Sequence, residues 1–525
     1  MITMSYRIVQ PQKNGNFYLY DAESVWDPEK KASKQKRRYL GKCDKDGNLI
    51  APRKDPDAII CSPVYGTGYL LHQIMKDIGL DRQLEKVYGE RDGKRLEALA
   101  ILGVTCPSSV RMMECNVEDT YVRELIGTDW SFEQSEVCRF MQSVGKDAGR
   151  REELFELLAP RGGCMIFDIV CLGTDSDLME YAEVGRKMHI TGSKQFNLGM
   201  VHSMEDHLPF MYRTYPGSVA DVTTLRNITE DLAAMGCTGV EMVMDRGFFS
   251  LDNIRGMIVG GTGFTVPIPA RSSVLKPLLS ESVGKVDTPS NTDMVGGDVV
   301  RGYETGVVML DKEFKRASEA EGDVIRVVVI QDDSRRLAET TNLYSRISDL
   351  EKRLNGRSES DGLPMLKKKE VETLNLFEQT YENGTLRLVR KRNAISAKEN
   401  ACGRFALMTT SKRDWKDLLI EYRARNDVEY DFSQLQSDLF DGVKGKSDQE
   451  SAEGGLMVSF LSLRLRTALL NRMKENGLTD RMWISDVMGI MRKLKISQVG
   501  GRWRLNEMTR AQKDILEGLG IKPPF

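Results

Sequence analysis

Proline is scarce in this sequence, 16 in 525 residues, and the nine cysteines include no Cys-x-x-Cys pair. No apolar run reaches the ~18 residues that a membrane-spanning helix needs. The opening, MITMSYRIVQ, has no charged stretch leading into an apolar one, so no secretory signal is expected. An odd number of scattered thiols fits a reducing compartment better than a disulfide framework, and a cytosolic chain bound to no membrane is the expectation. What is present is a hydrophobic fraction of 40% with 29% charged residues, which excludes a wholly disordered chain. The 46 glycines follow no three-residue period, so collagen is excluded as well. At ~150 residues per domain, the length suits three or four domains.

Charge is nearly balanced over the whole chain, at −2, but not along it. Residues 1–54 hold twelve Lys/Arg against six Asp/Glu, and residues 461–525 hold thirteen against six. The middle is therefore acidic. Basic ends on an acidic body suit a protein that grips phosphate at its periphery and keeps carboxylates at its centre. A charged face that merely meets water is the alternative.

Hydrophobic periodicity divides the chain. Residues 5–60 read as short strands and turns, and Ser62 to about Pro160 reads as helices, with YLLHQIMKDIGL, LEALAILGV and SEVCRFMQSV carrying apolar stripes. From Gly163 a strand pattern takes over. CMIFDIV, QFNLGMVHS, PFMYRTY, a helix from PGSVADVTTL, VEMVMDRGFF, the helix SLDNIRGMIVGG and GFTVPIP give the order β-β-β-α-β-α-β, a mixed α/β layer. Residues 271–400 are expected to interrupt that layer with two strands, VRGYETGVVML and DVIRVVVIQ, and a charged helical hairpin from SRRLAETTNLYSRI through VETLNLFEQ. GRFALMTT returns to strand, and a long helix opens near Asp414. An apolar helix follows, LMVSFLSLRLRTALLNRMKE, and then a basic helical tail.

Two carboxylates are expected at strand ends of one layer, Asp168 after CMIF and Asp245 after VEMVM. Apolar strand residues would fix the backbone while each acid projects into a cleft, so neither charge is buried unpaired. On the long helix, Tyr422, Arg425, Glu429 and Gln436 lie at offsets 0, 3, 7 and 14. At ~100° per residue these fall within a stripe roughly 60° wide, so one face carries all four. Three hard oxygen donors from separate elements suit Mg²⁺, and two such ions would clamp the attacking and leaving oxygens of an in-line phosphoryl displacement. Arg425 would pair with phosphate and Tyr422 would donate to a further phosphate oxygen.

These motifs resemble the DDE transposases of bacterial insertion sequences, families 4 and 1634. The resemblance is carried by FDIV (167–170), YPGSVADVTTL (215–225), MDRGFFS (244–250), GRFALMTT (403–410) and YRARNDVEYDF (422–432), and spans roughly residues 160–475. It implies a ribonuclease-H-like catalytic domain with a large insertion, preceded by a small β-rich segment and a helical domain. On that reading a basic β-rich segment covers 1–60 and a helical DNA-binding domain 61–160. The catalytic domain occupies 161–270 and 401–475 around an insertion at 271–400, and a basic helical tail fills 476–525.

The implied activity is binding of terminal inverted repeats, then metal-dependent DNA cleavage and strand transfer. Asp168, Asp245 and Glu429 would hold two Mg²⁺ or Mn²⁺ ions, and Tyr422, Arg425, Arg246 and Gln436 would contact DNA phosphate. Double-stranded DNA, as transposon ends and as target, is the implied partner. A homodimer on DNA in a bacterial or archaeal cytosol is implied too. Gln436 stands where the family signature has lysine, and Val170 where a threonine is common. Residues 271–400 contain no tryptophan, the residue that traps a flipped base in studied relatives, although Trp415 lies just beyond. Two alternatives stay open: a transposase-derived DNA-binding scaffold without catalysis, and a ribonuclease-H-like nuclease or resolvase.

Other signals are set aside. His202 and His207 in HSMEDH are five apart and read as a strand-to-strand turn, not a zinc site. GGTGF (260–264) reads as a turn between helix and strand, because no acidic follow-on makes it a dinucleotide loop. Asp221 reads as a turn or helix-opening carboxylate, and Lys367–Lys369 as a solvated face.

Overall fold

The computed structural model describes residues 5–12, 15–27, 32–50, 59–174, 179–184, 194–358, 360, 362–434 and 448–524. The chain forms two units, Met1–Pro63 with Lys495–Glu507, and Val64–Leu494 with Met508–Phe525.

In the first unit, β1 (Ser5–Pro11), β2 (Phe17–Asp27) and β3 (Ala32–Cys43) form an antiparallel sheet. Side-chain alternation puts Val9, Leu19 and Cys43 on one side, and the Asp44–Asn48 turn folds over them. Asp44 stabilises that turn by accepting from the backbone N–H groups of Asp46 and Asn48 at 2.9 Å. A short strand, β4 (Ile59–Cys61), belongs to a second small sheet of the same unit.

The second unit opens with seven helices: α1 (Gly66–Asp77), α2 (Leu80–Tyr88), α3 (Glu90–Thr105), α4 (Met113–Glu118), α5 (Val122–Ile126), α6 (Gln134–Lys146) and α7 (Ala148–Leu158). Among the described residues no single helix is long and apolar enough to cross a membrane. None of the nine cysteines is in a disulfide.

A large mixed sheet follows, so the architecture is mixed α/β with many helices. Its strands begin with β5 (Gly163–Thr174), β6 (Glu183–Val184), β7 (Lys194–Ser203) and β8 (Pro209–Pro216). Helix α8 (Asp221–Ala234) leads into β9 (Val240–Met244), and α9 (Leu251–Val259) leads into β10 (Gly263–Pro267). β5, β7 and β8 pair as an antiparallel meander, whereas β9 and β10 run parallel to β5. The spatial order across this part is β8-β7-β5-β9-β10.

Residues 271–400 depart from the expected interruption, because their strands continue the sheet. A short helix, α10 (Leu275–Glu281), precedes β11 (Thr292–Val295), β12 (Asp298–Met309), β13 (Phe314–Arg316) and β14 (Val324–Asp332). The helical hairpin is also corrected. α11 (Asp333–Leu354) is long, but α12 (Lys368–Leu374) has only seven residues, and FEQ opens a strand instead of ending a helix. That strand, β15 (Phe377–Glu382), pairs with β16 (Thr385–Arg390). Phe377, Leu386 and Leu388 turn inward against the Leu343–Ile347–Leu350–Leu354 stripe of α11, which gives this region a core of its own. After α13 (Arg392–Ala401), β17 (Arg404–Thr409) enters between β10 and β14, antiparallel to both.

Two long helices close the unit. α14 (Trp415–Gln434) lies on the sheet, and Trp415, Leu418 and Leu419 pack on Val300, Val328, Ile330 and Leu407. α15 (Gln449–Glu475) is buried continuously from Ser451 to Leu465. It crosses α6 so tightly that a Cβ on Gly454 would overlap the carbonyl of Met141, and one on Gly145 the carbonyl of Glu450. Polar side chains on α15 reach partners on other elements: Glu453 accepts from Arg151 at 2.9 Å and Thr214 at 3.0 Å, and Arg464 donates to the Pro209 carbonyl at 2.6 Å. The tail is not all helix. After α16 (Ile484–Met491) a hairpin, β18 (Ile496–Val499) and β19 (Arg502–Leu505), pairs with β4 in the first unit, and α17 (Arg510–Gly518) returns to the second.

Candidate active site

Asp168 sits within β5, not at its end. The parallel pairing of β5 with β9 stops at Phe167–Met244, while pairing with β7 carries β5 on to Thr174. Asp168 is thus the first residue of β5 beyond the reach of β9, and a carboxylate there faces the opening left where β9 ends. Asp245 follows Met244 directly, so continuing the register sets the two acids side by side. Both are partly exposed.

The backbone after Asp245 is held firmly. A 3₁₀ turn, Arg246–Phe248, drops Phe248 into the core against Phe167, with ring centroids 5.0 Å apart, and Phe249 meets Phe314 at 5.4 Å. Burial of such a ring contributes ~2–3 kcal/mol, which anchors the turn. Ser250 caps α9 by accepting from the Asn253 backbone at 3.1 Å. The Asn253 side chain donates to the carbonyls of Val222 and Phe248, both at 2.8 Å. Arg246 is exposed beside Asp245.

α14 runs up the same sheet face. Low on it, the buried-edge carboxylates Glu241 of β9 and Glu421 of α14 share Arg413, and burial raises the Glu421 carboxyl above the usual range. One turn higher, Arg425 reaches both acids: Nη1 lies 3.2 Å from Asp168 Oδ2 and Nη2 lies 3.8 Å from Asp245 Oδ1. Its side chain is only 9% exposed. The Arg425 guanidinium lies 5.8 Å from the centre of the Tyr422 ring, which also packs near Phe405. Burial pushes the Tyr422 phenol up, and Arg425 opposes that shift.

Arg423, on the neighbouring side of the helix, donates to Asp332 at 2.7 Å and to the Val295 carbonyl at 2.8 Å. That grip fixes α14 against β11 and β14. Neither it nor the Arg413 cluster has a sequence signal, since the partners lie far apart in the chain. Glu429 belongs to α14 one turn beyond Arg425, on the same helical face, but its side chain lies outside the described residues, as does all of Gln436. Among the described residues no three His, Cys, Asp or Glu side chains cluster as metal ligands. Still, two neighbouring carboxylates under one guanidinium form a hard-oxygen set already charge-compensated by a cation, and that chemistry fits a divalent ion.

The remaining motif residues serve the frame. Tyr215 is buried and its hydroxyl donates to the Thr224 carbonyl at 3.3 Å. A Cβ on Gly217 would overlap the Gln195 carbonyl, so YPGS is a turn that needs its glycine. Asp221 is the first residue of α8. Trp415 is core: it packs so closely on Gly302 that a side chain there would collide with the indole. His202 lies inside β7 and is wholly buried, and burial, with Arg464 and His207 nearby, lowers its pKa to about 3.

No protein-family model matches the chain, and no curated protein matches it. Among solved structures, a cryo-EM structure of the piggyBac transposase synaptic complex with hairpin DNA is similar at 7% identity over 83% of this chain and 77% of that one, with a TM-score of 0.36.

Proposed function

We propose that this chain is a DDE-type transposase that cuts DNA at the ends of its element and joins the freed ends to target DNA. The observation that carries the reading is the side-by-side pair Asp168 and Asp245, with Arg425 against both and position 429 one turn further along the same helix face. The strand order β8-β7-β5-β9-β10, an antiparallel meander followed by two parallel strands, supports a ribonuclease-H-like frame for that pair. So do the motif residues, which line up with the resemblance drawn from sequence.

Asp168, Asp245 and Glu429 would hold the metal. Two Mg²⁺ or Mn²⁺ ions there would supply charge stabilisation for the attacking and leaving oxygens of an in-line displacement at phosphorus. Arg425 would shift a hydrogen bond from carboxylate to a phosphate oxygen, and the neutral Tyr422 hydroxyl would donate beside it. Arg246, exposed next to Asp245, is suited to a flanking phosphate. Two copies would pair two DNA ends.

The test is cleavage of duplex DNA carrying the element's ends, with Mg²⁺, by wild type, Asp245→Ala and Glu429→Ala. Cutting that disappears in both variants supports the reading. Binding without cutting, identical in all three proteins, would replace it with a non-catalytic scaffold. Cutting without joining of a precut end would leave a nuclease.

A further inference from the structure

We propose that the open face of the β1–β2–β3 sheet is a duplex-DNA surface that enters the major groove. This rests on the reading that the chain acts on DNA. The register gives the sheet two unlike faces. One carries Val9, Leu19 and Cys43 beneath the Asp44–Asn48 turn, together with the acids Asp21 and Glu23 and, opposite Asp21, the bases Arg7 and Arg38. The opposite face carries Tyr6, Gln10, Gln35, Arg37, Tyr39 and Lys42, and among the described residues it bears no carboxylate. Alternation along β2 therefore confines Asp21 and Glu23 to the first face and leaves the open face with bases, amides and aromatic rings.

The open face is also prearranged. Arg37 donates to Gln35 at 2.9 Å and to Gln10 at 3.2 Å, and Gln35 donates to the Tyr6 hydroxyl. Tyr39 stands between Tyr18 and Tyr20, with ring centroids 5.8 and 5.5 Å away, yet is 55% exposed, and Tyr6 is 47% exposed. A core would bury such rings. Here they share a face with a guanidinium and two amides, the groups that read guanine and adenine edges.

Dimensions agree. A major groove ~12 Å wide admits a two-stranded ribbon, and β2–β3, with strand axes ~4.8 Å apart and Arg37, Tyr39 and Lys42 on the open face, is one. Strands reading a groove is an established docking mode. The excess of six positive charges in residues 1–54 supplies attraction to the flanking phosphates.

The full-length protein is titrated by fluorescence anisotropy against a labelled duplex of mixed sequence, and against one of its strands alone, from about 50 to 200 mM salt. Arg37→Ala is expected to weaken duplex binding about tenfold and make the log–log salt slope shallower by about one. Arg37→Lys keeps the slope, and Tyr39→Ala weakens binding. Lys369→Ala, on an exposed helix elsewhere, binds as wild type. Both sheet positions are exposed, and unchanged melting curves confirm folding. Wild-type affinity in Arg37→Ala and Tyr39→Ala overturns the proposal but leaves the catalytic reading standing, and preference for the single strand overturns it too. A wild-type protein that binds no duplex at all fails both, and failure of cleavage in the Asp245→Ala comparison alone touches only the catalytic reading.

Discussion

Arg425 and Asp168, 257 positions apart in the chain, meet as Nη1 and Oδ2 at 3.2 Å, and the same guanidinium extends to Asp245. The contact makes α14 the lid of the carboxylate pair. Removing one partner of a mostly buried pair leaves the other uncompensated, so Arg425→Ala should cost about 2–4 kcal/mol in denaturant unfolding. Millimolar Mg²⁺ should restore part of that loss, and Asp168→Asn should relieve it. Equal costs for Arg425→Ala in the wild-type and Asp168→Asn backgrounds would refute the coupling.

His202 makes stability depend on pH. Its folded pKa, about 3, lies below its unfolded value near 6.5, so the unfolded chain binds the extra proton. Stability is therefore fully present above about pH 6.5 and falls as pH drops toward 3, at up to ~1.4 kcal/mol per unit. His202→Gln should flatten the unfolding free energy across that window, whatever its stability at pH 7. A slope equal to wild type would show that His202 does not set it.

Two glycines should respond oppositely to the same change. Gly454→Ala drives a methyl into the α6 backbone and is expected to destabilise by about 1–3 kcal/mol or more. Gly256→Ala, exposed in α9 with open space around its Cβ, should stabilise by about 0.5–1 kcal/mol. Melting temperatures of the two variants, measured side by side, decide this.

Trp415 should behave as packing. Trp415→Ala should cost roughly 3–5 kcal/mol, whereas Trp415→Phe should leave the pattern of DNA cleavage products unchanged. Loss of a single product in Trp415→Phe, at unchanged melting temperature, would mean the indole touches DNA.

Much of the frame was legible because its signals are local. Apolar runs ending in Asp168 and Asp245, and the stripe of Tyr422, Arg425 and Glu429, are patterns within a few residues of each other. What the sequence does not display is pairing between distant segments. The apolar residues Ile169 to Leu172 continue the strand pattern past Asp168, and pairing with β7 carries β5 on to Thr174. The charged stretch after Leu354 read as helix because its composition is helical, yet Asn383-Gly384, both at positive φ, is a strong hairpin signal that marks β15–β16. The Arg413 and Arg423 anchors were invisible, since ion pairs across the sheet leave no spacing.

The place of β17 bears on how the carboxylate site is assembled during synthesis. This strand joins two half-sheets, β10 on one side and β14 on the other, and is made after both. A ribosome that has not reached residue 404 presents two unsealed strand edges and no α14, so Asp168 and Asp245 stand without Arg425 or Glu429. On the proposed function, nascent and truncated chains would hold the carboxylate pair without its α14 partners while the strands of the N-terminal sheet are already made. If that sheet holds DNA and the finished chain acts as proposed, prematurely ended copies would occupy the DNA that a finished copy needs and so restrain it.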